Sequence, residues 1–132
     1  MDLEILKIAS NTTNHKILKN HTHNSKLKNP ICGDEMEISV KLVNDYIVDF
    51  GYQCKSCVYC QASVSLLSIN SINKSTIKIK NLLKLINTFF DNENVVLPKE
   101  WSTFGKIFNK KNFSRKECLI LPFKTLAKAL KS

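Results

Sequence analysis

An α+β fold with a small antiparallel sheet is predicted by a strand-like alternation followed by helix-like periodicity. The stretch Met36-Glu37-Ile38-Ser39-Val40-Lys41-Leu42 alternates strictly, which sends Met36, Ile38, Val40 and Leu42 to one face of a strand. Asn44-Asp45 makes a turn, and the β-branched and aromatic run from Tyr46 to Tyr52 closes an antiparallel hairpin with one buried face. Beyond it the apolar spacing becomes helical, over about Cys57 to Ile69, Ile77 to Phe90 and Phe123 to Leu130. At 132 residues and 15.1 kDa the chain is expected to be one domain, residues 1–132, with a modest core.

In chain order, Asp2 to Ala9 carries apolar residues at Leu3, Ile5, Leu6 and Ile8 behind a candidate N-cap, Asp2, and reads as a short packing helix. Ser10 to Asn29 is rich in Asn, Thr, His and Lys and is expected to be irregular, with one short element around Ile17 and Leu18. Ser56 is the expected cap of the helix after the hairpin, whose inward stripe is Tyr59, Ala62, Leu66 and Ile69. Its small residues Ala62, Ser63 and Ser65 suit close packing. Asn70 to Thr76 is a polar break, and Leu82, Leu85, Ile86 and Phe89 mark the buried side of the next helix. A turn is expected at Asp91 to Asn94, a short helical segment from Pro98 through Phe104, and a basic loop from Phe108 to Phe113. Pro122 suits the first turn of the closing helix, with Phe123, Leu126, Ala127 and Leu130 facing the core. Cys118 is then on a loop or frayed turn at that helix's entrance.

Composition narrows the function classes. The chain is 43% hydrophobic and 23% charged, and no apolar run approaches the roughly 20 residues that cross a bilayer. Met1 to Ile8 lacks a basic region followed by an apolar one, so no secretory signal is read. The expectation is a soluble, cytoplasmic protein with no membrane partner, a monomer or weak dimer. Five cysteines in such a chain point to thiols serving metals or sulfur chemistry, because a reducing compartment does not keep disulfides. The formal charge of +9 comes from lysines spread along the chain, without a basic helix interleaved with aromatics or a Gly-rich phosphate loop. Nucleic acid is therefore not the expected partner; steering toward an acidic protein is.

The chemistry concentrates at Asn29-Pro30-Ile31-Cys32-Gly33-Asp34. Cys32 and Asp34 offer a sulfur and an oxygen donor two residues apart, with Gly33 letting the backbone bend between them. A hairpin returns the chain to where it began, so Cys32 and Asp34, before its first strand, come near Cys57, after its second. A thiol in the first turn of a helix faces unpaired backbone N–H groups and the positive end of the macrodipole, which favour the thiolate. Cys118, at a later helix entrance, is similarly placed to present a ligand. Cys54 and Cys60 complete a Cys-x-x-Cys-x-x-Cys spacing and read mainly as structural thiols, with an alternate sulfur-holding or ligand role as the other reading. His15, His21 and His23 lie in the polar segment. His21-x-His23 is a candidate extension of a metal site, although such a composition gathers histidines without function.

Three motifs in order resemble the iron–sulfur scaffold family that comprises IscU, SufU and the N-terminal domain of NifU. They are Asn29-Pro30-Ile31-Cys32-Gly33-Asp34, then Cys57 followed by Gln61-Ala62-Ser63-Val64-Ser65, then Arg115-x-x-Cys118 followed by Leu121-x-Phe123-Lys124-Thr125-Leu126. The long interval between Cys57 and Cys118 is similar to the SufU branch, with residues near Val95 to Lys110 as its insertion. The resemblance implies a SufE/NifU-like α+β domain with helices against one face of the sheet. It also implies a site of Cys32, Asp34, Cys57 and Cys118 that holds zinc or a transient [2Fe–2S] cluster. Cys118 and Cys32 are the candidate persulfide acceptors, a cysteine desulfurase is the donor, and carriers or apo-proteins receive the product. Glu117 stands where the IscU branch has a histidine, and neither the Leu-Pro-Pro-Val-Lys segment nor the N-terminal His-Tyr-x-Asn-Pro-x-Asn stretch is present.

Three other readings stay open at this level. A zinc-dependent sulfurtransferase would use the ion to position Cys32 or Cys118 as a nucleophile without building a stable cluster. A small structural-zinc module would use Cys54, Cys57 and Cys60. A basic nucleic-acid-binding domain would leave all the cysteines incidental and bind with steep salt dependence.

Overall fold

A computed structural model describes residues 3–31, 33–91 and 96–131. The hairpin forms as the alternation predicts: β2, Glu35–Val43, pairs antiparallel with β3, Tyr46–Lys55. Asn44 and Asp45 link them at φ of 52° and 65°, the left-handed pair that matches the twist of a two-residue hairpin. Paired residues share a face, so Met36, Ile38 and Val40 lie beside Cys54, Tyr52 and Phe50. Met36, Ile38, Val40 and Phe50 are fully buried, and Leu42 packs at the core's margin. The single irregularity falls between Lys41 and Leu42.

The segment expected to be irregular holds a third strand, β1, His23–Lys28, antiparallel to β2 with Lys28 opposite Glu35. Its residues, His-Asn-Ser-Lys-Leu-Lys, have little intrinsic strand preference. Tertiary contacts supply what the sequence lacks: the Ser25 hydroxyl donates to the Thr125 carbonyl and Lys128 Nζ to the Lys26 carbonyl at 3.2 Å. The sheet order is β1-β2-β3. Asn29, Gly33 and Asp34 consequently belong to the connection between two strands, not merely to the approach to one.

Among the described residues, four α-helices and two 3₁₀ helices complete the fold. Helix α1, Leu3–Ala9, buries Ile5; the candidate cap Asp2 lies outside the described residues. Helix α2, Val58–Ser71, begins one residue later than expected, with Cys57 and not Ser56 as N-cap, and no side-chain cap bond. Its buried set is broader than the predicted stripe. Cys60, Ala62, Val64 and Leu67 are fully buried while Ile69 is exposed, because α1, β3 and a fourth helix all pack on it. The serines permit that close approach: Ser63 Oγ donates to the Leu119 carbonyl at 2.6 Å and Ser65 Oγ to the Asn11 carbonyl at 2.8 Å.

Helix α3, Thr76–Phe89, is capped by Ser75, whose side chain accepts from Lys78 N. It buries Ile79, Leu82, Leu83 and Ile86. The turn expected from Asp91 lies largely outside the described residues. Short 3₁₀ helices follow at Lys99–Lys106 and Lys110–Arg115, the second overlapping the Phe108 to Phe113 stretch expected to be a basic loop. The first of them and the link to the second carry aromatic rings into the core: Phe104 and Phe108 meet Phe123 edge-on at 5.7 and 5.2 Å between centroids.

Helix α4, Lys116–Leu130, starts well before the expected Phe123, and Pro122 lies inside it, not in its first turn. Proline argues against continuing a helix upstream because it lacks an N–H and crowds the preceding turn. Here Cys118 and Leu119 are buried, and Ser63 holds the Leu119 carbonyl, so packing against α2 favours the helix through the proline.

Candidate functional site

Asp34 ends the connection between β1 and β2. That connection is tight: Asn29 N donates to the Asp34 carbonyl and Gly33 N to the Asn29 carbonyl, both at 2.8 Å, while Asn29 Oδ1 accepts from Ile31 N at 2.9 Å. Gly33 sits at φ +77°, left-handed backbone that a glycine adopts without strain. The register Glu35 to Lys55 and Met36 to Cys54 brings the end of β3 level with Asp34. Two residues later the chain enters α2 at Cys57. The return predicted for a hairpin is what places Asp34 beside Cys57.

Cys118 arrives from the other side. It is the third residue of α4, so where a loop or frayed turn is expected the chain is already in a helical first turn. The entrances of α2 and α4 are tied by Arg115, whose guanidinium lies 5.1 Å from the centre of the Tyr59 ring. Sequence reading gave neither residue a role there. Their spacing is local to separate helices, and only the packing of α2 on α4 brings them together.

One donor atom from each of Asp34, Cys57 and Cys118 lies within 4.8 Å of the others, and this is the only such His, Cys, Asp or Glu group among the described residues. Asp34 and Cys118 are buried at 8% and 7% exposure, and Cys57 is half-buried. Asp34 Oδ2 is buried with no hydrogen-bond partner among the described residues. A buried acceptor left unsatisfied costs about 1–3 kcal/mol, a cost that a cation at this position offsets. Four donors about 2.3 Å from one ion would be about 3.8 Å apart, so the observed spacing needs a contraction of the order of 1 Å. Two thiols and a carboxylate suit zinc or iron, and the first turns of α2 and α4 favour negative charge between them. Cys32, expected as the fourth donor, lies outside the described residues.

The other cysteines behave differently. Burial pushes the Cys54 thiol up, the neighbouring Ser56 hydroxyl eases it down, and the charges of Asp34 and Cys57 push it up further. Cys60, fully buried, is pushed up much more strongly by the same causes. Ser56 Oγ nevertheless falls short of a formed hydrogen bond with either. Cys54, Cys57 and Cys60 do not make a three-donor group among the described residues, so this geometry does not favour the structural-zinc alternative. The histidines stand apart from the donors too: His15 stacks on Tyr52 at 5.0 Å, and neither His21 nor His23 joins a donor group among the described residues.

Fold and site together define a class: a small α+β domain with a three-stranded antiparallel sheet that gathers thiols and one carboxylate at the start of two helices. The chain belongs to the family of NifU-like N terminal domains, whose family model matches residues 2–102. It is 32% identical over 111 residues to the iron-sulfur cluster assembly scaffold protein IscU of Thermotoga maritima, covering 79% of this chain and 73% of that protein. An uncharacterized protein of Borreliella burgdorferi is 29% identical over 131 residues, 98% of this chain and 88% of the relative. Among solved structures, the N-terminal NifU-like protein of Brucella abortus shares the fold with a TM-score of 0.88 at 19% identity, over 98% of this chain and 91% of that one. A putative iron-sulfur cluster assembly scaffold protein for the SUF system from Fervidobacterium islandicum gives a TM-score of 0.84 at 25% identity, over 98% and 96%. The family match stops at residue 102, before Cys118, but the structural matches cover 98% of the chain. No helix among the described residues is long and apolar enough to cross a membrane.

Proposed function

We propose that this chain is an iron–sulfur assembly scaffold, acting as one domain over residues 1–132 in the reducing cytoplasm. Cys118 and Cys32 accept sulfur from a cysteine desulfurase. Iron and that sulfur are then held as a transient [2Fe–2S] cluster on Cys32, Asp34, Cys57 and Cys118, the same donors that would bind zinc. The observation that carries the reading is the convergence of Asp34, Cys57 and Cys118 within 4.8 Å, with Asp34 Oδ2 buried and unpartnered among the described residues. Likeness to the Thermotoga maritima scaffold and to the Fervidobacterium islandicum protein supports it.

The donor types suit cargo that must leave. Thiolates bind iron–sulfur clusters firmly, whereas a carboxylate oxygen is a harder, weaker ligand for the same iron. Asp34 therefore makes release to a carrier or apo-protein easier than a fourth thiolate would. When bound, zinc would position a thiolate for attack on the desulfurase's persulfide. The net charge of +9 favours encounter with an acidic partner.

The test is anaerobic incubation with a cysteine desulfurase, cysteine and ferrous iron, with and without zinc. A cluster absorption band that passes to an apo-ferredoxin is the expected result. Desulfurase stimulation that requires zinc and leaves no cluster would replace the scaffold with a zinc-dependent sulfurtransferase.

A further inference from the structure

The donor set leaves Cys60 without a task, although its position is unusual for a core thiol. Cys57 is the N-cap of α2, its carbonyl accepting from Gln61 N at 3.1 Å, and Cys60 is the third helical residue behind it. Helix geometry puts Cα atoms three residues apart at about 5 Å, inside the roughly 4.4–6.8 Å of Cα separation that disulfides bridge. A Cys-x-x-Cys at a helix N-terminus, one thiol outward and one buried, is the arrangement in which dithiols cycle with disulfides. Cys57 is half-buried and Cys60 fully buried. Cys54 is a poorer partner for Cys57, because it lies on β3, where the backbone advances about 3.3 Å per residue.

We propose that Cys57 and Cys60 are a redox pair that reduces incoming sulfane sulfur to sulfide within the protein. The inference rests on the sulfur-accepting reading above and deepens it. Persulfide sulfur must gain two electrons before it can enter a cluster as sulfide, and the thiol pair holds two. Sulfur accepted at Cys118 reaches Cys57 by exchange, since their sulfurs lie within 4.8 Å: the Cys57 thiolate attacks the outer sulfur, and Cys118 leaves as thiolate. Cys60 then attacks the inner sulfur of the Cys57 persulfide. The Cys57–Cys60 bond forms, the bond to the outer sulfur breaks, and that sulfur departs as hydrosulfide with the electron pair and, on protonation, the Cys60 proton. One persulfide and one thiol become one disulfide and one hydrogen sulfide, with no outside oxidant or reductant. A small dithiol reductant resets the pair for the next turn.

The reaction is tested by adding limiting inorganic polysulfide anaerobically to the full chain, without added thiol. Released sulfide, intact mass and cysteine linkage are then read. The wild-type protein should release sulfide, lose two hydrogens and show a Cys57–Cys60 link. Cys54→Ser should do the same. Cys60→Ser, with Cys60→Ala as a second variant for this buried position, should retain the added sulfur and release sulfide at least about tenfold more slowly. Wild-type rates in both Cys60 variants, or a link from Cys57 to Cys54 or Cys118, would overturn the redox pair while leaving sulfur acceptance intact. A wild-type chain that takes up no sulfur would overturn both.

Discussion

The two hairpins that share β2 are built in opposite ways. The one with β3 turns in two residues, Asn44 and Asp45, and its inward pairs Ile38–Tyr52 and Val40–Phe50 are buried and bulky. The one with β1 turns through the connection holding Gly33 and Asp34, and its inward residues are Ser25 and the partly buried Leu27. The apolar hairpin fixes register, because a one-residue slip would expose its whole core face. The polar hairpin borrows its register from β2 and from α4. Stability thus lies in one half of the sheet, and the other half presents a carboxylate whose Oδ2 is buried with no hydrogen-bond partner among the described residues.

Substitutions should separate the two halves. Ile38→Ala, in the apolar hairpin, should cost about 2–5 kcal/mol in urea unfolding, with ion affinity of the remaining folded protein unchanged. A selective loss of ion binding with little destabilisation would break the division. Gly33→Ala, in the polar hairpin, meets no atom within 4 Å of the new Cβ, so only the left-handed backbone opposes it. The expected loss is about 1–2 kcal/mol, together with weaker ion binding, since this turn aims Asp34. Asp34→Ala should act in the reverse sense, raising the stability of the metal-free protein by about 1 kcal/mol because it removes a buried unsatisfied oxygen. On reconstituted protein the same variant should hold its cluster longer; an unchanged or faster decay of cluster absorbance would remove the release role from Asp34.

The smallest expected effect concerns alkaline pH. Cys54, Cys60 and Tyr52 are all pushed up chiefly by burial. The folded state therefore keeps protons that the unfolded state gives up, and their contribution is complete below the unfolded values and lost as pH rises past them. For Cys60, starting from an ordinary value of 9.0, the loss at pH 9 is about 0.4 kcal/mol, growing by up to about 1.4 kcal/mol per further unit. Cys60→Ala should flatten the stability profile between pH 8 and 10 (about 1 unit either side of that value); an unchanged slope would mean that other groups carry it.

The same contrast explains what could be read from the sequence. Met36 to Leu42 and Tyr46 to Tyr52 announce a hairpin through alternation and β-branching, and that return was enough to bring Asp34 toward Cys57. β1 is silent because Asn24, Lys26 and Lys28 are polar and Ser25 fills an inward position; its partner contacts lie about a hundred residues away, on α4. The early start of α4 was hidden by Pro122, whose local penalty is outweighed by the burial of Cys118 and Leu119 against α2. The Ser56 cap failed by a single residue, and that residue is the thiol Cys57. Motif order singled out Asp34, Cys57 and Cys118, which the fold brings together, whereas the Arg115–Tyr59 tie required the packed helices.

The central claim is that the ion or cluster is held where the polar hairpin meets the entrances of α2 and α4. Anaerobic zinc titration of the full chain, followed by competition with a chromogenic chelator, tests it most directly. One ion per chain should bind to wild type, Cys54→Ser and Cys60→Ala, and binding should collapse in Cys57→Ser, Cys118→Ser and Asp34→Ala in decreasing degree. Wild-type affinity in Cys118→Ser and Asp34→Ala, with loss in Cys54→Ser and Cys60→Ala, would contradict it and move the metal to the Cys54–Cys57–Cys60 run.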